Sequence, residues 1–330
     1  MRSGLLKSVK YACLPLLICT LTALQGFGQQ DLEKELGNSS PVHEKVTATF
    51  KSTKLINGHT NETIYKNELD FKVDHRFGDI AGRNGGLRRF FGLDNSTDVR
   101  IGFEYGLSDR LSIGLARAKG ATDVQQLYEG SIKYRLLEQT TDDYIPVAVT
   151  LFGSNTIAAV EASDNPNAAT AYGKFTDRMN YVTQVIFARK FNSNFSVTLT
   201  PSYVHRNFTA FRDQNDMFAM SIGGRAKFSK RMAFVVDYFV PFRNKDDEDY
   251  LQQLNGVKFY NTLGAGLEIE TGGHVFQLHF TNVTGMTERH FIGQTTGNWA
   301  DGDIRMGFNI SRIFTIVKPK GFEGSRNSIY

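Results

Sequence analysis

The chain has very little cysteine. Its 330 residues include only two, Cys13 and Cys19, and both lie in the first apolar stretch of the sequence. The rest of the chain therefore cannot form a disulfide, a thiolate zinc site or a c-type haem attachment, and it has no cysteine nucleophile. If that part is exported, a large core or a continuous hydrogen-bond network must hold it together.

Long apolar runs and a strong net charge are missing too. After Leu24, no stretch approaches the roughly 18 uninterrupted apolar residues of a membrane-spanning helix, which excludes a helical membrane bundle. The formal charge is +4, and three basic residues within 1–28 supply most of it. We therefore expect no nucleic-acid partner. The seven histidines lack the spacing of metal ligands, so no metal and no other cofactor is predicted.

The first residues have the layout of a signal peptide. Basic residues precede an apolar run at 11–24, and Gly26 and Gly28 supply the small side chains of a cleavage site. This predicts that residues 1–28 are removed and that the remainder is exported. Residues 29–67 then form a polar segment that starts in the periplasm and serves either as a tether or as a plug.

A period-two pattern runs through most of the remaining sequence. In residues 68–77, Phe71 and Val73 share an apolar face, while Lys72 and Asp74 share a fully charged one. Side chains alternate across a β-strand, so such a segment has one face for an apolar surrounding and one for a polar one. The same alternation predicts twelve strands, near 68–77, 98–107, 110–117, 127–136, 146–153, 178–190, 195–206, 216–228, 232–241, 260–270, 274–282 and 302–314. The segments 146–153 and 178–190 are the weakest, because Val182 and Ile186 interrupt the polar face.

The connections between these segments alternate between short turns and long loops. Most segments have about ten residues, which is the length that a tilted strand needs to cross a bilayer. An even strand number, brief turns at one end and long loops at the other are typical of outer-membrane barrels. The sequence therefore predicts an all-β fold, a closed antiparallel transmembrane β-barrel of about twelve strands at 68–314, followed by a periplasmic tail at 315–330. A soluble β-sandwich is the rival fold, but its loops need not alternate in length.

Several motifs resemble a known family. They are the run Ser-Thr-Lys-Leu-Ile-Asn-Gly-His at 52–59, the segment 71–79, Phe-Gly-Leu-Asp at 91–94, the hairpin 105–114, and Lys-Tyr-Arg-Leu-Leu at 133–137. Together they resemble an uncharacterised outer-membrane β-barrel family of Bacteroidetes, known as a domain of unknown function. The resemblance implies the same fold and location, with lipid as a partner, and it implies no activity.

The charged faces of the strands are predicted to line the barrel interior. The candidates are Lys72, Arg76, Arg100, Glu104, Lys133, Arg135, Arg225, Asp237, Glu268 and Arg305. Strands two to eight also contribute Arg110 and Arg178 and are mainly basic, whereas strands nine to twelve and strand one are mainly acidic. Two facing walls of opposite charge would set up a transverse field across the lumen. Alternatively, the charges pair with one another or with a plug and seal it.

The segment before the first strand carries the plug candidates Lys54, Asn57 and His59. Its Asn57-Gly58 dipeptide is a turn signal, which favours an ordered structure over a loose tail. Two features of the loops are also notable. The glycine-rich stretch 82–92 lacks the following helix of a phosphate-binding loop, and Trp299 with Phe291 is expected in the outer aromatic girdle.

Three functions are compatible with such a barrel. The first is a pore or channel for small polar solutes in the outer membrane. The second is a structural or adhesion scaffold that presents its long loops. The third is an enzyme, which would need a serine and a histidine on one patch, yet Ser196 and Ser202 have the opposite parity to His205 on the same strand. No catalytic residue is predicted, and the oligomeric state is not determined by the sequence.

Overall fold

The computed structural model describes residues 43–317, apart from 83, 121–123 and 167. The predicted signal peptide and most of the predicted tail lie outside these residues. The described chain forms twelve antiparallel strands: β1 (Glu68–Asp79), β2 (Ser96–Ser108), β3 (Leu111–Gly120), β4 (Gln126–Leu137), β5 (Ala148–Ala158), β6 (Met179–Lys190), β7 (Phe195–Arg206), β8 (Asp216–Lys227), β9 (Met232–Phe242), β10 (Thr262–Thr271), β11 (His274–Thr281) and β12 (Arg305–Thr315). Each strand pairs with its neighbours in sequence, and β1 pairs with β12 to close the barrel. The predicted fold is confirmed.

The strand bounds differ from the sequence-based expectation at a few ends. Strand β5 spans Ala148–Ala158 instead of 146–153, and Pro146, which has no N–H to donate to a ladder, stays outside it. Strand β12 begins at Arg305 instead of 302. Val182 and Ile186 do not interrupt strand β6. Both side chains point inward and are buried, so they are apolar residues at positions that face the lumen.

The barrel has two distinct ends. At the turn end, residues 109–110, 191–194, 228–231 and 272–273 make brief connections, with a longer one at 138–147. The loop end carries short 3₁₀ helices at Leu87–Gly92 and Phe175–Arg178 and two α-helices, α1 (Lys245–Asn255) and α2 (Glu288–Gly293). None of the helices in the described part of the chain is long and apolar enough to span a membrane.

Helix α1 has clear boundary signals in its sequence. The Asn244 side chain accepts a hydrogen bond from the backbone N–H of Asp246, acidic residues occupy the first turn, and Gly256 ends the helix in the left-handed conformation. These are the usual start and stop signals of a helix. All of them lie between the predicted strands at 232–241 and 260–270, where the alternation indicates only a connection.

Strand β9 shows how parity separates the two faces of the barrel wall. Val235 and Asp237 point inward and are buried, whereas Phe234 and Val236 point outward and are exposed to the surroundings of the barrel. Because the strands are fully paired around a closed cylinder, no backbone edge is left open, as lipid requires. The outward face of β9 is therefore apolar and exposed, as the alternation predicts.

Placing a charge on this face should impair assembly. Val236 lies near the middle of β9, so Val236→Arg is expected to destabilise the barrel by about 2–4 kcal/mol, while Val236→Leu should be neutral. The measurement is the fraction of protein that folds into lipid vesicles and migrates differently before and after boiling. Equal folded fractions for both variants would mean that this face does not contact lipid.

Candidate functional site

The barrel interior is polar and tightly filled. All ten charged residues predicted for it lie on the inward-facing positions of their strands, and only Arg305 among them remains partly exposed. Strand parity brings them there, since alternate residues of each strand share the lumen side. Burying charges on this scale is unfavourable unless each charge has a partner. The contacts below supply those partners.

The interior charges form ion pairs between strands, some of them across an intervening strand. Arg100 lies between two carboxylates, with its guanidinium nitrogens 3.2 Å from Asp74 Oδ2 and 2.7 Å from Glu129 Oε1. Lys72 Nζ is 2.5 Å from Glu104 Oε2. Elsewhere in the wall, Arg225 pairs with Glu268 at 2.7 Å and Arg305 with Asp79 at 2.8 Å.

These ion pairs agree better with the alternative in which the interior charges pair with one another and seal the lumen. They agree less well with two facing walls of opposite charge. Two of the residues counted in the basic wall also lie outside it. Arg110 is on a turn with its side chain 48% exposed, and Arg178 ends a 3₁₀ helix before β6 begins. Lys72 is likewise paired, because it is buried between the carboxylates of Glu104 and Asp70.

Residues 49–64 fold back into the lumen as a hairpin, called here the lumen hairpin. The backbone N–H of Leu55 donates to the carbonyl oxygen of Gly58 at 2.8 Å, and that of Thr60 donates to Thr53 at 3.0 Å. The Asn57-Gly58 dipeptide forms the tip, in agreement with its turn signal. The chain then leaves the lumen to enter β1.

Asp237 on β9 holds the tip of the lumen hairpin. Its carboxylate accepts hydrogen bonds from the backbone N–H groups of Asn57 and Gly58, at 2.6 and 2.9 Å, and from the Asn57 side-chain amide at 2.9 Å. On the opposite side, Arg76 donates to Asn57 Oδ1 at 3.1 Å, and Asn309 donates to the carbonyl oxygen of Ile56 at 3.0 Å. One buried carboxylate thus satisfies both backbone donors of the turn.

The two arms of the lumen hairpin are also bonded to the wall. Lys133 donates to the carbonyl oxygens of Thr53 and Glu62, at 3.0 and 3.2 Å. Arg135 forms an ion pair with Glu62 at 3.1 Å. Thr53 in addition donates to Glu104 at 2.9 Å, so that the hairpin joins the ion pairs of the wall.

The plug candidates lie at different points of this hairpin. Asn57 is at the tip, and Lys54 and His59 face each other across it, all three buried. The His59 ring packs on Phe152 with centroids 3.9 Å apart, and its Nε2 is 3.0 Å from Glu288 Oε1 on α2. His59 thereby connects the hairpin to the loop end of the barrel.

Glycines in the wall leave room for the lumen hairpin. A Cβ atom added at Gly223 would lie 2.4 Å from Leu55 Cδ1, and one at Gly264 would lie 2.9 Å from Ile56 Cγ2. At Gly106 the added atom would lie 1.9 Å from the backbone oxygen of Tyr65, which immediately follows the hairpin. Three separate strands are therefore shaped around this segment.

Adding a side chain at Gly106 should displace the segment. Gly106→Val requires the backbone at Tyr65 to move, and we expect the region 45–66 to become sensitive to protease in the assembled barrel. Gly130→Val is the matched control, since an added Cβ at that position has nothing within 4 Å. Mass spectrometry of the fragments locates the cuts. Equal resistance of both variants would contradict a close fit between wall and segment.

Helix α2 packs against the inside of the wall at the loop end. Phe291 is fully buried and meets Phe239 edge to face, with centroids 5.1 Å apart. The expected place of Phe291 in an outer aromatic girdle is therefore wrong. Trp299 is partly buried and donates from Nε1 to the carbonyl oxygen of Leu263 at 3.3 Å. Strand parity gives no signal for this helix, which has only six residues and whose N-cap residue, Thr287, makes no side-chain cap hydrogen bond.

The serine and histidine residues considered for catalysis do not converge. Ser196 and Ser202 are buried on the lumen side of β7, whereas His205 faces outward, with its ring 2.7 Å from Asp216. As the sequence indicated, no α-helix follows the glycine-rich stretch at 82–92. The next strand, β2, follows it instead.

Comparisons with known proteins agree with the barrel architecture. Solved structures similar to this chain include the NanC porin (9% identity over 74% of this chain and 98% of that chain, TM-score 0.43) and the COG4313 outer membrane channel from Pseudomonas putida F1 (10% identity, 77% and 98%, TM-score 0.46). Likenesses this distant carry no conclusion about what this chain does. No curated protein matches the sequence. The model of one family, described as a membrane bound beta barrel domain, matches residues 50–314, and the chain therefore belongs to that family, DUF5777.

Proposed function

We propose that this protein is a pore-like barrel of the outer membrane through which small polar solutes cross once the lumen hairpin yields. The observation that carries the proposal is the set of polar contacts between hairpin and wall, centred on the Asp237 carboxylate and the Asn57-Gly58 tip. A cleaved signal peptide at residues 1–28 would deliver the chain to that membrane.

The polar contact matters because water can replace it. Hydrogen bonds within a protein are worth little net free energy when water takes over both partners, typically about 1 kcal/mol each. Phe50, Leu55 and Ile56 also pack against apolar wall residues, and their exposure to water when the hairpin leaves the lumen opposes opening and keeps it rare. The wall groups that hold the hairpin, such as Lys133, Asn309 and Asp237, are polar and become solvated when the lumen fills with water.

The size of the barrel also supports a lumen that can conduct once the hairpin yields. Eight-stranded barrels fill their interior with side chains, and barrels of 16–18 strands leave an aqueous channel. A barrel of twelve strands lies between these cases, so wall side chains alone leave space that a further segment must fill. Residues 49–64 supply that filling, and their removal would leave a passage lined by charged and polar groups.

A surface scaffold is the second candidate, and one observation favours it. The connection between β1 and β2 exposes Leu87, Phe90 and Phe91, with 84%, 59% and 47% of their surface accessible. An apolar patch on a loop suits contact with another molecule. If the barrel carries no current under any condition while removal of this patch abolishes surface attachment, the scaffold role is the correct one.

Single-channel recording of the full protein in planar bilayers tests the pore. The native chain should show rare, brief openings, and Asp237→Ala should open much more often because the tip loses three hydrogen bonds. Asp216→Ala is the control, since this carboxylate is 56% exposed and lies on the outer face. A complete absence of openings in all three proteins would refute passage through the lumen.

A further inference from the structure

Two cations lie on the outward face of the barrel near the loop end. Arg117 and Lys119 on β3 are exposed, and strand parity places them on the outer surface, opposite Ile101 and Val99 of β2. Lys119 is the last residue but one of the strand, so both cations lie close to its end. Among the described strands, these are the only lysine and arginine side chains on the outward face at the loop end. A specific contact between this part of the wall and an anion would therefore involve these two residues.

The depth of the two cations follows from the length of the strand. A tilted strand of about ten residues spans the hydrocarbon of a bilayer, and β3 has 10 residues. In the membrane location of the proposed function, on which this inference rests, Arg117 and Lys119 therefore lie near the headgroups of the leaflet on the loop side. Tyr128 on β4 lies opposite Arg117 and is 52% exposed, and tyrosine on the outer surface of a barrel is typical of this level.

A groove of about 510 Å³ lies beside the two cations. Besides Arg117 and Lys119, its lining consists of polar and apolar residues without a carboxylate, namely Ser96, Thr97, Gln125, Val99 and Ile101. No carboxylate of the described residues forms an ion pair with either cation. By contrast, the outward-facing Arg189 at the turn end is paired with Asp143 at 2.9 Å. The groove is therefore positively charged and complementary to an anion.

The wall next to the groove, on the side of the turn end, is apolar. Leu115 on β3 is 73% exposed, and its neighbour Phe103 on β2 is 48% exposed. On its other side Leu115 lies opposite Gly130 of β4, where an added Cβ atom would have nothing within 4 Å. The missing side chain leaves a furrow beside Leu115. A lipid chain fits such a furrow, so the cations and the apolar surface together match a molecule with an anionic head and an apolar tail.

We propose that Arg117 and Lys119 bind the phosphate of an anionic lipid from the leaflet on the loop side of the barrel. The two residues are separated by one position, about 7 Å along the strand, so both side chains can reach one phosphate. The arginine donates two hydrogen bonds to the phosphate oxygens, and the lysine adds a second positive charge. An acyl chain of the lipid lies along Leu115 and Gly130. The site does not depend on passage through the lumen, because it lies on the outside of the wall.

Native mass spectrometry of the purified full chain in detergent tests the inference with two lipids that carry the same chains, dioleoyl phosphatidate and dioleoyl phosphatidylcholine. Phosphatidate should bind at least about ten-fold more tightly, since phosphatidylcholine is zwitterionic and brings a cation of its own to the site. Arg117→Gln with Lys119→Gln should remove this preference and leave binding of phosphatidylcholine unchanged. Lys230→Gln with Arg312→Gln is the control, because it removes the same charge from exposed residues at the turn end.

Equal affinities of the two lipids for the native chain would overturn the inference, as would an equal loss of preference in the two double variants. Excess glycerol 3-phosphate should leave the bound phosphatidate in place, and its displacement would refute a lipid site. If the variant with both glutamines on β3 does not assemble, Lys119→Gln alone takes its place and should lower the preference at least about three-fold. A barrel that conducts ions but shows no lipid preference refutes this site alone, whereas a lipid preference without conductance refutes the pore alone.

Discussion

Replacing residues 49–63 with a glycine-serine linker of the same length should turn a mostly silent barrel into one that stays open for most of a recording. The linker cannot reproduce the bonds from Asp237, Lys133 and Arg135 to the hairpin. Nothing then orders the segment within the lumen, and water and ions occupy the space. We expect discrete steps of constant size in planar bilayers, in place of the rare openings of the native chain.

The selectivity of these steps provides a second readout. Without the hairpin, Lys133 loses its carbonyl partners and Arg135 loses Glu62, so both cations face the water-filled lumen. Neutralising Arg135 together with Arg225 should therefore shift the permeability ratio toward cations. The linker variant must still shift its gel position on boiling, which confirms a closed barrel. An assembled linker variant without steps would mean that another part of the chain closes the lumen.

The sequence predicts the faces of the strands well, and for a simple physical reason. Alternation has a period of two, so once one face is assigned to lipid every other residue of a strand faces the lumen. Lys72, Arg100 and Asp237 could be placed inside on that basis alone. The tip of the lumen hairpin was also visible, because Asn57-Gly58 is a turn signal in any context.

The sequence could not predict which groups meet inside the barrel. That Arg100 lies between Asp74 and Glu129 depends on the register of four adjacent strands, β1 to β4, and the pairing of Asp237 with the tip joins residues 180 positions apart. Summing the charges strand by strand suggested two opposed walls, because such a sum ignores the short distances at which neighbouring charges neutralise one another. Helix α2 was missed because its burial comes from tertiary contacts and not from a periodic pattern.

Loss of Arg100 should be among the most damaging single changes in the interior. Its side chain is 6% exposed, and the two carboxylates that it pairs with are 5% and 2% exposed. Arg100→Met would leave both carboxylates buried without their cation, for which we expect a loss of about 3–5 kcal/mol in the free energy of unfolding. Urea titration in detergent micelles, followed by the fluorescence of the single tryptophan, Trp299, measures it.

Arg110→Met is the matched control for this change. Arg110 is 48% exposed, and its partner Glu138 keeps Lys45 at 2.6 Å and Arg135 at 3.5 Å, so the expected loss is below about 1 kcal/mol. Adding Asp74→Asn and Glu129→Gln to Arg100→Met should recover much of the lost stability, because the buried negative charges are then gone. If Arg100→Met costs no more than Arg110→Met, water already solvates the interior carboxylates, and the lumen at this depth is wet even with the hairpin in place.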